Sequence, residues 1–163
     1  MFTGIVAAMG TVTDVEHTGT GRRLRIAERD LLHDMHIGDS VAVNGVCLTA
    51  VEVADGHVTV DIVQESLDRS NLGGLEVGAM VDLERPMPAN GRFDGHIVQG
   101  HVDGVGSVDS IEREGEARRI RVGLSQDLAR YVVEKGSVTV DGVSLTVTAT
   151  GAEPTAWFEI VLI

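Results

Sequence analysis

SVAVNGVCLTA, which occupies residues 40–50, returns 97 positions later as SVTVDGVSLTV at residues 137–147, with seven of the eleven positions identical. The two copies are not chemically equal, because Cys47 in the first is replaced by Ser144 in the second. The sequence therefore predicts a duplicated fold with two similar but unequal sites.

The similarity extends beyond this stretch. At an offset of 96, residues 1–6 align with residues 97–102, and residues 22–26 align with residues 118–122. A period of this size corresponds to a small domain and not to a solenoid repeat. We therefore expect an N-terminal domain at residues 1–87, a linker at 88–96 and a C-terminal domain at 97–163.

Turn signals divide each copy into short strands. Asn44-Gly45 and Asp141-Gly142 can supply the positive φ angles of a two-residue hairpin, and Asp55-Gly56 can supply another. Short strands with turn signals at intervals of roughly ten residues favour an all-β chain with a closed antiparallel barrel in each half. Only short helices are expected, with an amphipathic candidate at 125–133 and a weaker counterpart at 30–35.

Hairpin geometry assigns the side chains of each repeated segment to two faces. Alternate cross-strand pairs point to opposite sides, so one face is apolar and the other is small and polar. The apolar face, expected to fill the barrel, contains Val41, Val43, Val46 and Leu48, and then Val138, Val140, Val143 and Leu145. The polar face contains Ser40, Ala42, Cys47 and Thr49, and then Ser137, Thr139, Ser144 and Thr146. This face can hydrogen-bond a flat polar heterocycle or a polyol, or it can be an ordinary solvated surface.

Composition narrows the functional classes. A formal net charge of −12 and a pI of about 4.7 disfavour binding to nucleic acid or to an anionic membrane. No apolar run reaches membrane-spanning length and the first residues lack a charged signal-peptide start, so a cytoplasmic location is expected. One cysteine excludes an internal disulfide, and its spacing from the six histidines matches no zinc motif. A metal site is therefore not expected.

Six ordered motifs along the chain carry a resemblance to a known family. They occupy residues 1–6, 38–49, 65–73, 83–85, 95–104 and 135–146. Together they resemble riboflavin synthase. The resemblance implies two Greek-key six-stranded antiparallel barrels, followed by a C-terminal helix that holds a homotrimer together. It also implies an active site between the N-terminal barrel of one subunit and the C-terminal barrel of its neighbour.

The reaction that the resemblance implies gives the duplication a purpose. Two molecules of 6,7-dimethyl-8-ribityllumazine undergo a dismutation, in which one donates a four-carbon unit to the other. The products are riboflavin and 5-amino-6-ribitylaminopyrimidinedione, and no metal or organic cofactor is needed. Two identical substrates in different roles fit two homologous pockets that differ at a few positions. The copies differ chemically at Cys47/Ser144, Asn44/Asp141, Ile5/His101 and Gly38/Lys135.

By resemblance, five residues are expected to be catalytic: Phe2, Cys47, His101, Asp141 and Ser144. His101 is a candidate proton carrier because the ordinary pKa of histidine lies near neutrality. Cys47 or Ser144 could deliver or polarise a nucleophile if a neighbour activates it. Without the resemblance, Cys47 would be interpreted as a small buried hydrophobe and His101 as a structural histidine.

The expected substrate-binding residues come from both copies. They are Thr3, Gly4, Ser40, Thr49, Gln99, Gly100, Lys135, Ser137 and Thr146. Lys135 is the only lysine in the chain, and it would otherwise be interpreted as a solvated surface charge.

The second copy stops at Ile163, at the counterpart of Glu65. We therefore expect the second barrel to be incomplete and to lack the trimerising helix, so that this polypeptide is a monomer of uncertain activity. The alternative function, from a different class, is that of a non-catalytic lumazine or flavin carrier of the same fold.

Overall fold

The computed structural model describes residues 1–163 and contains mostly β-structure. The first half holds six strands and a short helix: β1 (Ala8–Thr18), β2 (Gly21–Ala27), β3 (Ser40–Val43), β4 (Val46–Ala54), β5 (His57–Val63), α1 (Gln64–Asp68) and β6 (Met80–Glu84), with a 3-10 turn at Asn71–Gly74. The second half holds β7 (Ser107–Glu114), β8 (Ala117–Leu124), α2 (Gln126–Ala129), β9 (Ser137–Val140), β10 (Val143–Thr146), β11 (Ala149–Gly151) and β12 (Ala156–Leu162).

The six strands of the first half form a closed antiparallel barrel in the order β1-β2-β5-β4-β3-β6. Bulges between Val12 and Asp14 and between Ala50 and Glu52 interrupt the register of β1 and β4. Such bulges bend strands and help a sheet to close. The barrel is filled by aliphatic side chains, among them Leu24, Ile26 and Leu83, which are all completely buried. The predicted six-stranded barrel is confirmed for the first copy.

The predicted hairpin register is confirmed residue by residue in the first copy. Ser40 pairs with Thr49, and Val43 pairs with Val46. Asn44 and Gly45 have φ angles of 46° and 79°, as a two-residue turn of this hand requires. The predicted interior residues Val41, Val43, Val46 and Leu48 are all buried.

The second half forms an open four-stranded sheet in the order β11-β12-β8-β7 and a two-stranded hairpin of β9 and β10. The strands thus form no second closed barrel, as expected. The apolar face of this hairpin is only half-buried at Val138, Val140, Val143 and Leu145, whereas its counterpart in the first copy is buried. The chain divides into two compact units. Unit 1 contains Met1–Val102 and the hairpin tip Thr139–Val143, and unit 2 contains Asp103–Val138 and Ser144–Ile163.

The helix predictions were less accurate. The candidate at 125–133 forms an α-helix only at Gln126–Ala129, because Tyr131 and Val132 instead donate to carbonyls three residues earlier. The weaker candidate at 30–35 is wrong, since that stretch forms turns. The Glu28 carboxylate accepts from the Asp30 and Leu31 backbone N–H groups, and the Met35 N–H donates to the Leu32 carbonyl three residues earlier. The stretch therefore closes turns and does not start an α-helix.

Candidate functional site

The predicted polar face of the first hairpin is covered at its centre. Ala42 is 3% exposed and packs in a small apolar cluster with Phe2 and Val98, against which Cys47 is half-buried. Ala42 was predicted to lie on an open surface, and that prediction is wrong because the N-terminal segment crosses this face. The remaining polar positions, Ser40 and Thr49, lie side by side at the other end of the hairpin and stay accessible.

Cys47 lies directly beneath Gly100. The Cys47 backbone N–H donates a 2.9 Å hydrogen bond to the Gly100 carbonyl. Gly100 has a φ of +81°, and a Cβ atom at this position would lie 2.7 Å from the Cys47 Cβ. Only glycine combines this backbone angle with so close an approach. The neighbours Gln99 and His101 are exposed on either side.

Phe2 is completely buried, although it is the second residue of the chain. Its backbone N–H donates to the Val98 carbonyl at 2.7 Å, and the Val98 N–H donates back at 3.0 Å. The His96 N–H donates to the Thr3 carbonyl at 3.0 Å, which continues the same ladder. Phe2 therefore supports the covering segment from below and does not itself face solvent.

Glu84, at the end of β6, holds this N-terminal segment. Its Oε1 accepts hydrogen bonds from the Thr3 N–H at 2.6 Å and the Thr3 hydroxyl at 2.7 Å, and its Oε2 accepts from the Gly4 N–H at 3.0 Å. Glu84 and Thr3 are both buried. The two expected substrate-binding residues Thr3 and Gly4 thus already have a protein partner.

A second polar cluster in unit 1 connects the two repeated turns. Asn44 Oδ1 accepts from the Asp82 N–H at 2.8 Å, and Asn44 Nδ2 donates to Asn71 Oδ1 at 3.3 Å. Asn71 Nδ2 in turn donates to Asp141 Oδ1 at 3.0 Å. The two positions at which the turns differ, Asn44 and Asp141, therefore belong to one hydrogen-bonded chain.

The environment of Asp141 disfavours its ionised form. More than a third of the residue is exposed, but neighbouring protein atoms crowd its carboxylate. This loss of solvation, followed by the charge of Asp82, raises the pKa of Asp141. A carboxyl group with a raised pKa is better suited to exchange a proton near neutrality than an ordinary aspartate.

The turn glycines lie against each other. A Cβ on Gly45 would lie 2.8 Å from the Gly142 nitrogen, and a Cβ on Gly142 would lie 3.0 Å from the Gly45 nitrogen. Both residues have positive φ angles, of 79° and 91°. Each glycine is therefore required by its own turn and by the approach of the other.

Four expected site residues lie in unit 2, namely Lys135, Ser137, Ser144 and Thr146. Ser144 is half-buried, and the other three are exposed. Lys135 has a φ of +65°, a conformation that its counterpart Gly38 adopts without a side chain at φ +94°. The Lys135 backbone N–H donates to the Val147 carbonyl at 2.8 Å, and the Gly38 backbone N–H makes the equivalent bond to the Ala50 carbonyl at 2.9 Å.

Three functional candidates were not predicted from the sequence. They are Glu84, Asn71 and His96, whose Nε2 lies 3.0 Å from the Thr139 hydroxyl. The motifs at 65–73, 83–85 and 95–104 contain all three residues, but their partners are distant in sequence. Periodicity and spacing could not identify these partners.

The structure contains no group of three or more His, Cys, Asp or Glu side chains arranged to hold a metal ion. None of its helices combines the length and the apolarity needed to cross a membrane.

Comparison with protein families gives a match to the lumazine binding domain at residues 3–86 and again at 99–163. The chain is 49% identical to riboflavin synthase of Mycobacterium tuberculosis over its whole length, which covers 82% of that protein. It is 44% identical to riboflavin synthase of Actinobacillus pleuropneumoniae, with 94% of this chain and 71% of that one covered.

Solved structures of LumP have the same fold. The complex with riboflavin has a TM-score of 0.87 at 27% identity, and covers 99% of this chain and 86% of that one. The complex with 6,7-dimethyl-8-(1'-D-ribityl) lumazine has a TM-score of 0.84 at 26% identity, with 99% and 85% covered.

Proposed function

The chain belongs to the lumazine-binding-domain family and, within it, to the riboflavin synthases, and we propose that it catalyses the dismutation of 6,7-dimethyl-8-ribityllumazine. One lumazine gives a four-carbon unit to a second, which yields riboflavin and 5-amino-6-ribitylaminopyrimidinedione. The atoms of two substrate molecules account for both products, so no external oxidant or cofactor is required. The observation that carries this proposal is the pair of repeated hairpins with unequal side chains at equivalent positions.

We propose that the domains at 1–87 and 97–163 each bind one lumazine. In the first, Ser40 and Thr49 offer hydroxyl groups on the face that carries Cys47. Gln99 and His101, from the start of the second domain, flank Gly100, whose carbonyl accepts from the Cys47 N–H. Such groups can hydrogen-bond the carbonyls and the ribityl chain of the substrate. The linker at 88–96 contains no helix or strand, which is compatible with two separate binding domains.

In the second domain, we propose that Lys135, Ser137, Ser144 and Thr146 bind the other lumazine. Lys135 supports this assignment through its backbone. Lys135 is a non-glycine residue at positive φ. Such a conformation costs about 1 kcal/mol or more, and strain of this kind is often found at functional sites. A positive charge at this position has no counterpart at Gly38, so the two pockets would polarise their ligands differently.

The dismutation requires a proton to leave one lumazine and a nucleophile or hydride to reach the other. Asp141 and His101 are the proposed proton carriers in unit 1, since the pKa of Asp141 is raised by its surroundings and the exposed imidazole of His101 can accept or donate a proton. Cys47 and Ser144 are proposed to polarise the reacting ring in their respective pockets. Phe2 is proposed to act through position, because its ring lies beneath Val98 and beside Cys47.

We further propose a cytoplasmic location and productive pairing of an N-terminal pocket with a C-terminal pocket of another subunit, as in a homotrimer. The different side chains at equivalent positions of the two copies support this pairing. They would have no use if each pocket acted alone.

Turnover of 6,7-dimethyl-8-ribityllumazine, monitored by riboflavin absorbance, tests the function. Riboflavin formation is expected, and Ser144→Ala should reduce it more than it reduces substrate binding. A carrier protein would bind the lumazine and form no riboflavin, which would contradict the proposal. The identity to synthases, at 44–49%, exceeds the 26–27% identity to LumP and favours the enzyme.

A further inference from the structure

We propose that Glu84 is a positioning residue for the site around Cys47. Its carboxylate fixes the N-terminal segment at residues 2–4, and that segment holds residues 98–100 against the strand that carries Cys47. The identity of the ligand rests on the proposed function, whereas the mechanical role of Glu84 does not.

Glu84 binds the N-terminal segment strongly. Glu84 is 7% exposed, and its two oxygens accept three hydrogen bonds from Thr3 and Gly4. A buried carboxylate is costly unless it is hydrogen-bonded, and bonds to a charged acceptor are about twice as strong as neutral ones. The interaction joins residues 81 positions apart, so it cannot arise from local turn chemistry.

The N-terminal segment needs such an anchor. The first residues of a chain usually fray unless tertiary contacts hold them. Strand β1 begins only at Ala8, so residues 1–7 lie outside the barrel strands. Glu84 is the last residue of β6, directly beside Leu83, whose carbonyl accepts from the Ala7 N–H at 2.9 Å. It therefore continues the attachment of the N-terminal segment beyond the end of the sheet.

Backbone hydrogen bonds connect the N-terminal segment to the site around Cys47. Phe2 exchanges two backbone hydrogen bonds with Val98, and the carbonyl of Gly100, two residues further on, accepts from the Cys47 N–H. The Phe2 ring also fills the space between Ala42 and Val98. If the N-terminal segment is released, the covering residues 98–100 lose this support and the surroundings of Cys47 change.

Glu84→Gln tests the anchor directly. The amide can accept at one oxygen, but its NH₂ group must face a backbone donor, Gly4 N–H. Hydrogen exchange should become faster at the Phe2, Val98 and Cys47 amides by about tenfold or more, and it should stay unchanged in β2 and β5. Glu76→Gln, at an exposed glutamate before β6, is the matched control and should exchange as wild type. Unchanged exchange at all three amides, or an equal increase throughout the barrel, would overturn the proposal.

Thr3 provides a second pair of variants. Thr3→Ser keeps the hydroxyl that donates to Glu84, whereas Thr3→Val removes it at nearly constant volume. Titration with 6,7-dimethyl-8-ribityllumazine, followed by its fluorescence, should give a Kd about tenfold weaker for Glu84→Gln and Thr3→Val. Thr3→Ser should lose clearly less affinity than Thr3→Val. Weakening by Thr3→Ser equal to that by Thr3→Val would count against the role of this hydrogen bond.

A double-mutant cycle separates positioning from general stability. If Glu84 acts through Phe2, adding Glu84→Gln to Phe2→Ala should cause little further loss of lumazine affinity. If the double variant loses lumazine affinity by the product of the two single-variant losses, the proposal is overturned. A wild-type protein that does not bind the lumazine would contradict the proposed function instead, and the exchange measurements would still decide the role of Glu84.

Discussion

Asn71 donates a 3.0 Å hydrogen bond from its side-chain amide to Oδ1 of Asp141, across 70 residues of sequence. Asn71 comes from the 3-10 turn that follows β5, and Asp141 comes from the repeated hairpin of the second copy. The contact matters because it stabilises the ionised carboxylate, while crowding and Asp82 disfavour it. Asn71 and Asp82, both from the first copy, therefore act on this carboxylate in opposite directions.

Replacing Asn71 with alanine should raise the pKa of Asp141 further. The substitution removes a donor to the charged form and leaves crowding and Asp82 in place. Carboxyl-carbon NMR titration should show the shift, and Asn90→Ala, at an exposed asparagine, should show none. A lower pKa in Asn71→Ala would contradict the assigned balance.

Asp141→Asn should separate stability from function. Because the folded-state pKa is raised, the protonated carboxyl favours folding at pH values below the unfolded pKa, and this contribution is lost as the pH rises through the folded pKa. The neutral amide should therefore raise the free energy of unfolding at pH 7, by only about half a kcal/mol because the group is partly exposed.

Riboflavin formation by Asp141→Asn should nevertheless fall. Urea unfolding and turnover of the same preparation provide the measurement. Asp55→Asn is the matched control, since Asp55 begins an Asp-Gly turn with a similar φ of 50°. A large loss of stability only in Asp141→Asn would show that the ionised carboxylate stabilises the fold.

Gly100→Ala should disturb the contact with Cys47. The new Cβ would lie 2.7 Å from the Cys47 Cβ, at a φ of +81°. We expect a loss of about 2 kcal/mol or more in the free energy of unfolding, together with weaker lumazine binding. In Gly19→Ala the added methyl group meets no atom within 4 Å, so this variant should unfold as wild type. Equal unfolding midpoints for the two variants would argue against the close approach.

Phe2→Ala should reduce both stability and turnover. The ring is completely buried, so its removal leaves a cavity and should cost about 3 kcal/mol. Phe2→Leu should recover most of that loss, because it refills much of the space. Thermal unfolding gives the stability comparison, and riboflavin formation gives the functional one. Wild-type stability of Phe2→Ala would mean that the N-terminal segment is not held in solution.

Glu159→Gln should make unit 2 less stable at neutral pH. The Arg121 guanidinium, with a smaller contribution from Arg119, lowers the pKa of Glu159, so its stabilising effect is present above the unfolded pKa and disappears as the pH falls through the folded pKa. The carboxylate lies under two arginines on a sheet face, and we expect a loss of about 1–2 kcal/mol.

Trp157 is the only tryptophan and stacks against Arg121 at 4.1 Å, so its fluorescence reports on unit 2. The difference between Glu159→Gln and wild type should be large at pH 7 and should narrow below a pH of about 4.5. Glu153→Gln, at an exposed position, serves as the control.

The sequence was most informative where local chemistry determines structure. Alternation of apolar side chains and the Asn44-Gly45 turn predicted the whole register of the first hairpin. The 3-10 turn that carries Asn71 has a weaker local signal, the N-cap Ser70, whose hydroxyl accepts from the Leu72 N–H. Its geometry depends on Arg22, whose guanidinium donates to the Leu75 carbonyl at 3.2 Å from a neighbouring strand. Propensity alone cannot predict a turn that is stabilised in this way.

The resemblance supplied the candidate site residues, whose roles stay predictions, but it could not supply their arrangement. The resemblance identified Cys47 and Gly100, and the structure shows them in contact. It did not show that Ala42 would be buried or that Glu84 would hold Thr3, because both depend on the path of the N-terminal segment over the barrel. Contacts between residues 81 positions apart follow from the folded topology and not from the local pattern.

The opposed glycines of the two turns limit how a duplicated gene can diverge. A substitution at Gly45 or Gly142 is penalised by its own backbone angle and by the other turn, and a second substitution cannot compensate by making room. Positions 47 and 144 already differ, as Cys47 and Ser144, whereas both turns keep their glycine. The residues of the polar face can therefore be substituted separately in each copy, whereas the turn glycines cannot. A protein engineer who wants two pockets with different ligands should vary the polar-face residues.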